Sequence, residues 1–491
     1  MAGRFLRMFG PLSRFIPEVS PPKRSVSFNE KLFWTLMALA IYLIMSEVRL
    51  YGITSTRWGE LAALQVIFAS RRGTLMELGI GPIVTAGLIL QLLAGSGMIA
   101  CNFSDPEDRS LFTTASKVFS IIMIGVQASA YLIGGVYGDL QPMGSLVIFI
   151  QLMIAGLVLM LLDELLQKGW GIGSGISLFI LAGVAQSIFW MSFGLTPGMA
   201  DGNSRGAFIA LAQIVPRIMT GSPIMVGEPP EQIGTWSLSH IFIRPVDPTL
   251  PAMLGLITTI AVFLIVIYVE GVRVELPISY ARYRGFRSRY PIKLLYVSNL
   301  PVIFASALFA NVYLFSQLLW SQPWGQGNFW VGLLGRYEAG EGGQPIPIGG
   351  LVYYVIPPQS LSEVAASPDR AIVYTGIMIA FCVVFSLTWL EVGGLGPRTV
   401  ARQLIDSGMQ IPGFRRSGKP IESLLNRYIP TVAILGGLTV GLIASVANFL
   451  GVFGTGMGIL LAVGIIYQYY QLLMQERVAD MYPAFRRFLG E

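Results

Sequence analysis

Charge is scarce in this chain: Asp, Glu, Lys and Arg make up 12% of its 491 residues, where a soluble globular domain carries roughly 25%. That shortage excludes an ordinary soluble enzyme or a solvated binding module. Histidine and cysteine are nearly absent too, with His240 the sole histidine and Cys101 and Cys382 far apart in the chain. A metal site of His/Cys type therefore has almost no ligands to draw on, and no cofactor is expected. A GxxxxGK[ST] phosphate loop is missing, which argues against ATP hydrolysis as the chain's own work. In place of charge stand hydrophobic residues, 54% of the chain, with a mean hydropathy of +0.65. Apolar runs of about 20 residues, enough to cross ~30 Å of hydrocarbon, recur along the whole length. The expectation is an all-α polytopic membrane protein.

Hydropathy, read with proline, glycine and polar punctuation, predicts ten spans near 32–50, 75–94, 115–135, 145–166, 174–194, 251–271, 293–319, 371–391, 429–450 and 455–474. An even number puts both termini on one side. Assigning that side as cytoplasmic gathers 24 of the 33 Lys and Arg residues there, in the leader 1–31, the loops 272–292 and 392–428, the tail 475–491, and at Arg109, Lys117, Lys168 and Lys293. The positive-inside rule accepts this topology. The leader lacks the early apolar core and small-residue cleavage site of a secretory signal, so it is expected to stay. The outer side keeps two long segments, about 195–250 and 320–368, rich in Gly, Pro and Trp. Within the first, "GAFIALAQIV" is apolar but too short to span and reads as a helix lying at the interface.

An internal repeat divides the chain. Span 2 reads "GPIVTAGLIL" and span 7 "LPVIFASALF"; span 5 opens "GSGISLFI" and span 10 "GTGMGILL". Helices 2 and 5 of the first five thus match helices 2 and 5 of the second five. Because five is odd, the halves 32–250 and 251–474 run oppositely through the membrane, an inverted repeat with its working surface between the halves. The glycines and prolines of these four helices let backbones approach or bend. Their candidate path residues, Ile80, Val84, Ile176, Ile180, Ile303 and Leu461, are all aliphatic, and the helix middles are almost free of charge. Such a ring excludes hydrated ions by dewetting and offers no groups to a small polar substrate. A secondary transporter shares the inverted-repeat plan, but the uncharged interior speaks against it. An intramembrane enzyme would need paired Asp, Ser/Lys or His/Glu sets that the helix middles lack.

The strings "RGTLMELGIGPIVTAGLILQLLAGSG", "LLDELLQKGWGIGSGISLFI", "ELPISYARYRG", "YPIKLLYVSNLPVIFASALFAN", "GGLVYYVIPPQSL" and "LNRYIPTVAILGG" occur in order from the leader to the tail. Through them essentially the whole chain resembles the SecY family, the α-subunit of the Sec protein-conducting channel. The resemblance implies a passive, non-enzymatic channel that translocates unfolded secretory polypeptides and releases transmembrane segments through a lateral gate, driven by a docked ribosome or another partner. It implies that Ile80, Val84, Ile176, Ile180, Ile303 and Leu461 form the pore ring, with Leu300 a neighbour and Leu460 competing with Leu461. The segment Ser55–Ser70 corresponds to the plug, and its Leu61, Leu64 and Phe68 fall on one face at helical spacing. Thr85, Gln127 and Asn299 match the polar cluster of the lateral gate, and Arg284 and Arg415 match ribosome-contacting positions. The implied partners are SecE-type and β-type single-span subunits, the ribosome, signal sequences and nascent chains, membrane lipid and, indirectly, the signal recognition particle receptor. The wording leans archaeal, notably in "QERVADMYPAFRRFL", which implies the cell membrane; a eukaryotic origin would imply the endoplasmic reticulum membrane instead.

Overall fold

The computed structural model describes all residues except 1–7, 10, 12–15, 25, 54–68, 96–97, 100–105, 139, 196–202, 227–230, 245–249, 281–286, 296, 298–299, 323, 340–344, 407–408, 411–417 and 482–491. Its long helices in chain order are α1 (Phe28–Glu47), α2 (Gly81–Gly95), α3 (Pro106–Ile133), α4 (Pro142–Leu165), α5 (Gly175–Phe193), α6 (Ala207–Thr220), α7 (Met253–Gly271), α8 (Leu300–Ser321), α9 (Pro368–Val392), α10 (Pro397–Asp406), α11 (Gly418–Phe449) and α12 (Gly456–Met481). All except α2, α6 and α10 are long and apolar enough to cross a membrane. With α2 they make the ten spans expected.

Two spans become helical well after their expected starts, and both delays have a physical cause. Span 2 becomes helical at Gly81 rather than near residue 75. Residues 69–80 form turns, with left-handed backbone at Ala69, Gly73 and Gly79. At 15 residues α2 is about 22 Å long, short of the ~30 Å hydrocarbon layer. Non-helical backbone completes the crossing, which is tolerated because it is buried in protein rather than in lipid: Met76, Leu78 and Ile80 are all buried, and Glu77 N donates to Thr74 O at 3.0 Å. Span 7 starts at Leu300 rather than 293, since Lys293 ends a strand and Leu294 and Leu295 after it lie in a turn.

That strand is one of seven short ones among the described residues, all in the loops, which an all-helical expectation did not include. The hairpin β1 (Pro223–Val226) and β2 (Glu231–Thr235) closes over α6, where Ala210, Ile214, Ile224 and Trp236 form a small core. Outside that core α6 exposes Phe208, Val215 and Met219, as an interfacial helix should. Strands β3 (Arg273–Tyr280) and β4 (Arg287–Lys293) form a second antiparallel hairpin. Strands β5 (Arg336–Ala339) and β6 (Pro345–Gly349) form a third. A two-residue β7 (Met409–Gln410) pairs with β3, so the loop between spans 6 and 7 and the loop between spans 8 and 9 share one sheet of order β4-β3-β7.

Small residues set how closely the spans pack. In "GGLTVG" on α11, a Cβ on Gly437 would sit 3.0 Å from Cys382 O, and one on Gly441 would sit 2.9 Å from Ile379 Cα, both on α9. Close backbone approach of this kind substitutes for the hydrophobic drive that lipid cannot supply. At the end of the bundle where the chain enters, ion pairs tie the pieces together: Lys31 at the start of α1 meets Glu476 of α12 at 2.6 Å, and the buried Glu164 of α4 meets Lys117 of α3 at 2.6 Å and Lys168 at 2.9 Å. Glu18, ahead of α1, also receives Lys117 and Lys168. The hydrogen bond from Lys168 is the main reason its carboxyl titrates below the usual glutamate range, with the Lys117 charge adding to it.

Candidate functional site

The central core of the bundle is one continuous hydrophobic cluster drawn from both halves. Ile80, Val84, Ile180 and Leu461 are buried in it, and the half-buried Ile176 and Ile303 pack against it, so the structure brings all six path residues into one place. Each is delivered by a local device. The left-handed turn at Gly79 ends the irregular entry of span 2, so that Ile80 and Val84 sit on consecutive turns around the α2 start, joined by the bond from Val84 N to Ile80 O at 3.0 Å.

The repeat between spans 5 and 10 is visible residue by residue. Gly173 and Gly454 both take left-handed backbone, with φ of 74° and 73°, and each lies two residues ahead of its helix. The register that superposes them pairs Gly175 with Gly456 and Ile180 with Leu461, which separates Leu461 from its neighbour Leu460. The contacts are reciprocal. A Cβ on Gly173 would meet the Tyr469 ring of α12 at 3.0 Å, and one on Gly454 would meet Ile188 of α5, also at 3.0 Å. Tyr469 and Ile188 each stand fifteen positions past their own helix's glycine.

On the other side of the cluster, α2 and α3 of the first half face α8 of the second across a polar seam. Asn311 Nδ2 of α8 donates to Thr85 Oγ1 of α2 at 3.0 Å, and Gln127 Nε2 of α3 donates to Asn311 Oδ1 at 3.4 Å. Thr85 and Gln127 are thus joined as expected, while Asn299 lies outside the described residues. The seam residue from α8 is Asn311, which the reading of the sequence passed over. Its signal was present: an amide in the middle of the apolar string "LPVIFASALFANVYLF". Thr85 also donates to Gly81 O at 2.8 Å and Asn311 to Ala307 O at 2.7 Å, so each retains a local bond if the seam parts.

Leu61, Leu64 and Phe68 lie outside the described residues, but both flanks of their segment are held. Arg49 and Thr74 form a β-bridge, Leu50 N donates to Gly73 O at 2.9 Å, and Leu75 N to Val48 O at 3.0 Å. Ala69 O accepts from the buried Tyr42 hydroxyl at 3.1 Å. Arg71 pairs with Glu47 and lies 6.0 Å over the Trp190 ring of α5. Arg284 and Arg415 likewise lie outside the described residues. The segments that carry them leave the paired strands β3 and β7, whose neighbourhood presents exposed Arg273 and Arg289 around Glu275. The Arg289 hydrogen bond at 2.5 Å depresses the exposed Glu275 carboxyl and raises the guanidinium.

A ten-span bundle in two inverted halves, with an aliphatic waist and a seam of uncharged amides and a hydroxyl, is the architecture of a membrane channel. Comparison with known proteins names the family. The SecY family model matches residues 74–470, and a model described as the plug domain of Sec61p matches residues 41–73. The protein translocase subunit SecY of Pyrococcus horikoshii is 42% identical over 490 residues, 97% of either chain. A solved protein-conducting channel is 39% identical with a TM-score of 0.80, covering 96% of this chain and 98% of its own. Sec61 in the canine ribosome–channel complex from the endoplasmic reticulum is 38% identical with a TM-score of 0.77, over 96% and 98%. The chain belongs to the SecY family, in its archaeal-type branch.

Proposed function

We propose that this chain is the central pore-forming subunit of a Sec translocon, a passive multi-pass channel through which unfolded secretory polypeptides cross the membrane and from which transmembrane segments leave sideways. The observation that carries the reading is that the six aliphatic residues Ile80, Val84, Ile176, Ile180, Ile303 and Leu461 meet in one hydrophobic cluster between the two halves. In the resting state such a ring holds back hydrated ions by dewetting, and its uncharged wall binds no particular residue of a passing chain. A signal sequence is itself an apolar helix. Lodged at the seam, it replaces the contacts of α2 with α8 and shifts the channel toward the open state by binding that state better.

Energy for movement comes from a partner, foremost a ribosome docked on the side that holds both termini, which we take as cytoplasmic from the charge bias. Ribosomal RNA is a polyanion, and arginines in the segments that follow β3 and β7 in the sequence suit it by charge. SecE-type and β-type single-span subunits complete the complex on lipid-facing helices, of which α7 exposes Ile257, Ile260, Leu264 and Ile267. Delivery through the signal recognition particle receptor follows from ribosome docking, and an archaeal cell membrane fits the branch. Replacing both Arg284 and Arg415 with glutamate is expected to weaken ribosome binding to the assembled complex at physiological salt; unchanged affinity in a co-sedimentation assay would remove the two arginines from the contact.

A further inference from the structure

The wall of the constriction opposite the seam is built differently from the seam, and two side chains stand out there. The N-terminal turn of α5 carries Ile176, whose backbone N–H donates to Oδ1 of the buried Asp163, at the end of α4, at 3.0 Å. The fit is tight: a Cβ on Gly175 would lie 2.6 Å from Asp163 Cα. On the other face of the same turn, Tyr469 of α12 donates its hydroxyl to Ser174 O at 2.9 Å. The start of α12 repeats the plan. Gly456 N donates to Oδ1 of the buried Asn448, near the end of α11, at 2.8 Å, and a Cβ on Gly456 would lie 2.6 Å from Ala444 O. In both cases a side chain from the preceding span accepts from the first turn of the helix that carries ring residues.

We infer that Asp163 and Asn448 are positioning residues of the constriction: they seat α5 and α12 by their first turns, so that Ile176, Ile180 and Leu461 form a fixed wall against which the seam side opens and closes. The unpaired N–H groups of a helix's first turn have no partner within the helix, and in a membrane interior they have no water either. A buried acceptor at that point fixes both the depth and the rotation of the helix. Two such caps, coupled by the reciprocal contacts of Gly173 with Tyr469 and Gly454 with Ile188, leave α5 and α12 little freedom to shift separately. The seam, by contrast, is held by two side-chain bonds, and Thr85 and Asn311 each keep a local alternative. Motion therefore concentrates at the seam. This inference rests on the reading of the six aliphatic residues as a pore ring.

The test is ion leak through the complete channel complex, with its small subunits, reconstituted in liposomes and left without ribosome or signal sequence. Ile303→Gly serves as the ring control and is expected to leak. Asp163→Ala and Asn448→Ala are expected to raise resting leak roughly five-fold or more, the scale of one lost buried hydrogen bond. Asp163→Asn, which keeps an oxygen at the accepting position, restores tightness. Tyr469→Phe, which removes a single hydroxyl and leaves packing intact, is expected to leak measurably and covers the case in which Asp163→Ala fails to assemble. A leaking Ile303→Gly beside tight Asp163→Ala, Asn448→Ala and Tyr469→Phe would overturn the inference while sparing the ring. Equal leak from Asp163→Asn and Asp163→Ala would overturn it as well, since charge rather than capping would then be at work. A tight Ile303→Gly would remove the ring and, with it, the role given to the caps.

Discussion

Asn311 holds both cross-seam hydrogen bonds, and each of its partners sits on a different helix of the opposite half. Bonds of this type between helices in lipid contribute ~1 kcal/mol or less, which suits a closure that an apolar signal helix must undo. Asn311→Ala is expected to favour the open seam by a few-fold, measured as increased translocation of a chain whose signal sequence has been shortened by a few leucines; unchanged or reduced translocation would contradict a latch at this position. Thr85 and Gln127 were legible in the sequence because they interrupt apolar helices. Asn311 was passed over because the resemblance pointed to Asn299, a polar residue twelve positions earlier that lies outside the described residues. Glu18 supplies a second prediction. Its carboxyl titrates below the free value because it is paired in the folded chain, so its contribution to docking the leader is complete above the free value of roughly pH 4.3 and is lost as pH falls through the lower, docked one. Hydrogen exchange in residues 17–24, corrected for intrinsic rates, is expected to rise between pH 6 and pH 3 in the wild type, with Glu18→Gln raised already at pH 6. Equal protection in all three conditions would contradict this anchor.

The spans show which features of an element a sequence carries and which it does not. Apolar length and glycine punctuation were enough to count ten helices and to pair 2 with 7 and 5 with 10, because lipid imposes those patterns on every crossing. The shortness of α2 was not legible: hydropathy reads buried irregular backbone and helix alike, and only the left-handed turns at Gly73 and Gly79 reveal the difference. The sheet β4-β3-β7 was hidden for another reason, since β7 is two residues long and its partner lies more than a hundred residues earlier. Glycines on α9 and α11 give a direct test of element packing. Gly441→Leu drives a side chain into the α9 backbone and is expected to cost roughly 1–3 kcal/mol or more, read as a lower thermal midpoint of the purified complex. Gly376→Leu on α9, with nothing near its Cβ, is expected to leave the midpoint unchanged or slightly raised. Equal effects at the two sites would contradict the close approach.

Taken as a whole, the molecule is two inverted halves with a stiff contact at α5 and α12, a weak one where α2 and α3 meet α8, and an aliphatic waist between them. Among the described residues that waist is lined by apolar side chains, which fits the proposal that direction and force come from a partner that pushes or pulls the chain. The family and the location of the waist could be read from sequence motifs alone, while the reciprocal seating of α5 against α12 needed coordinates, since it depends on contacts between residues nearly three hundred positions apart. The most direct test of the central claim is photo-crosslinking from Ile303 in the waist and, separately, from the outward-facing Val384 of α9, with ribosomes stalled on a secretory chain. A nascent-chain adduct at Ile303 and none at Val384 is the predicted result. No adduct at Ile303, with ribosome docking and complex assembly confirmed, would contradict a polypeptide path through this ring.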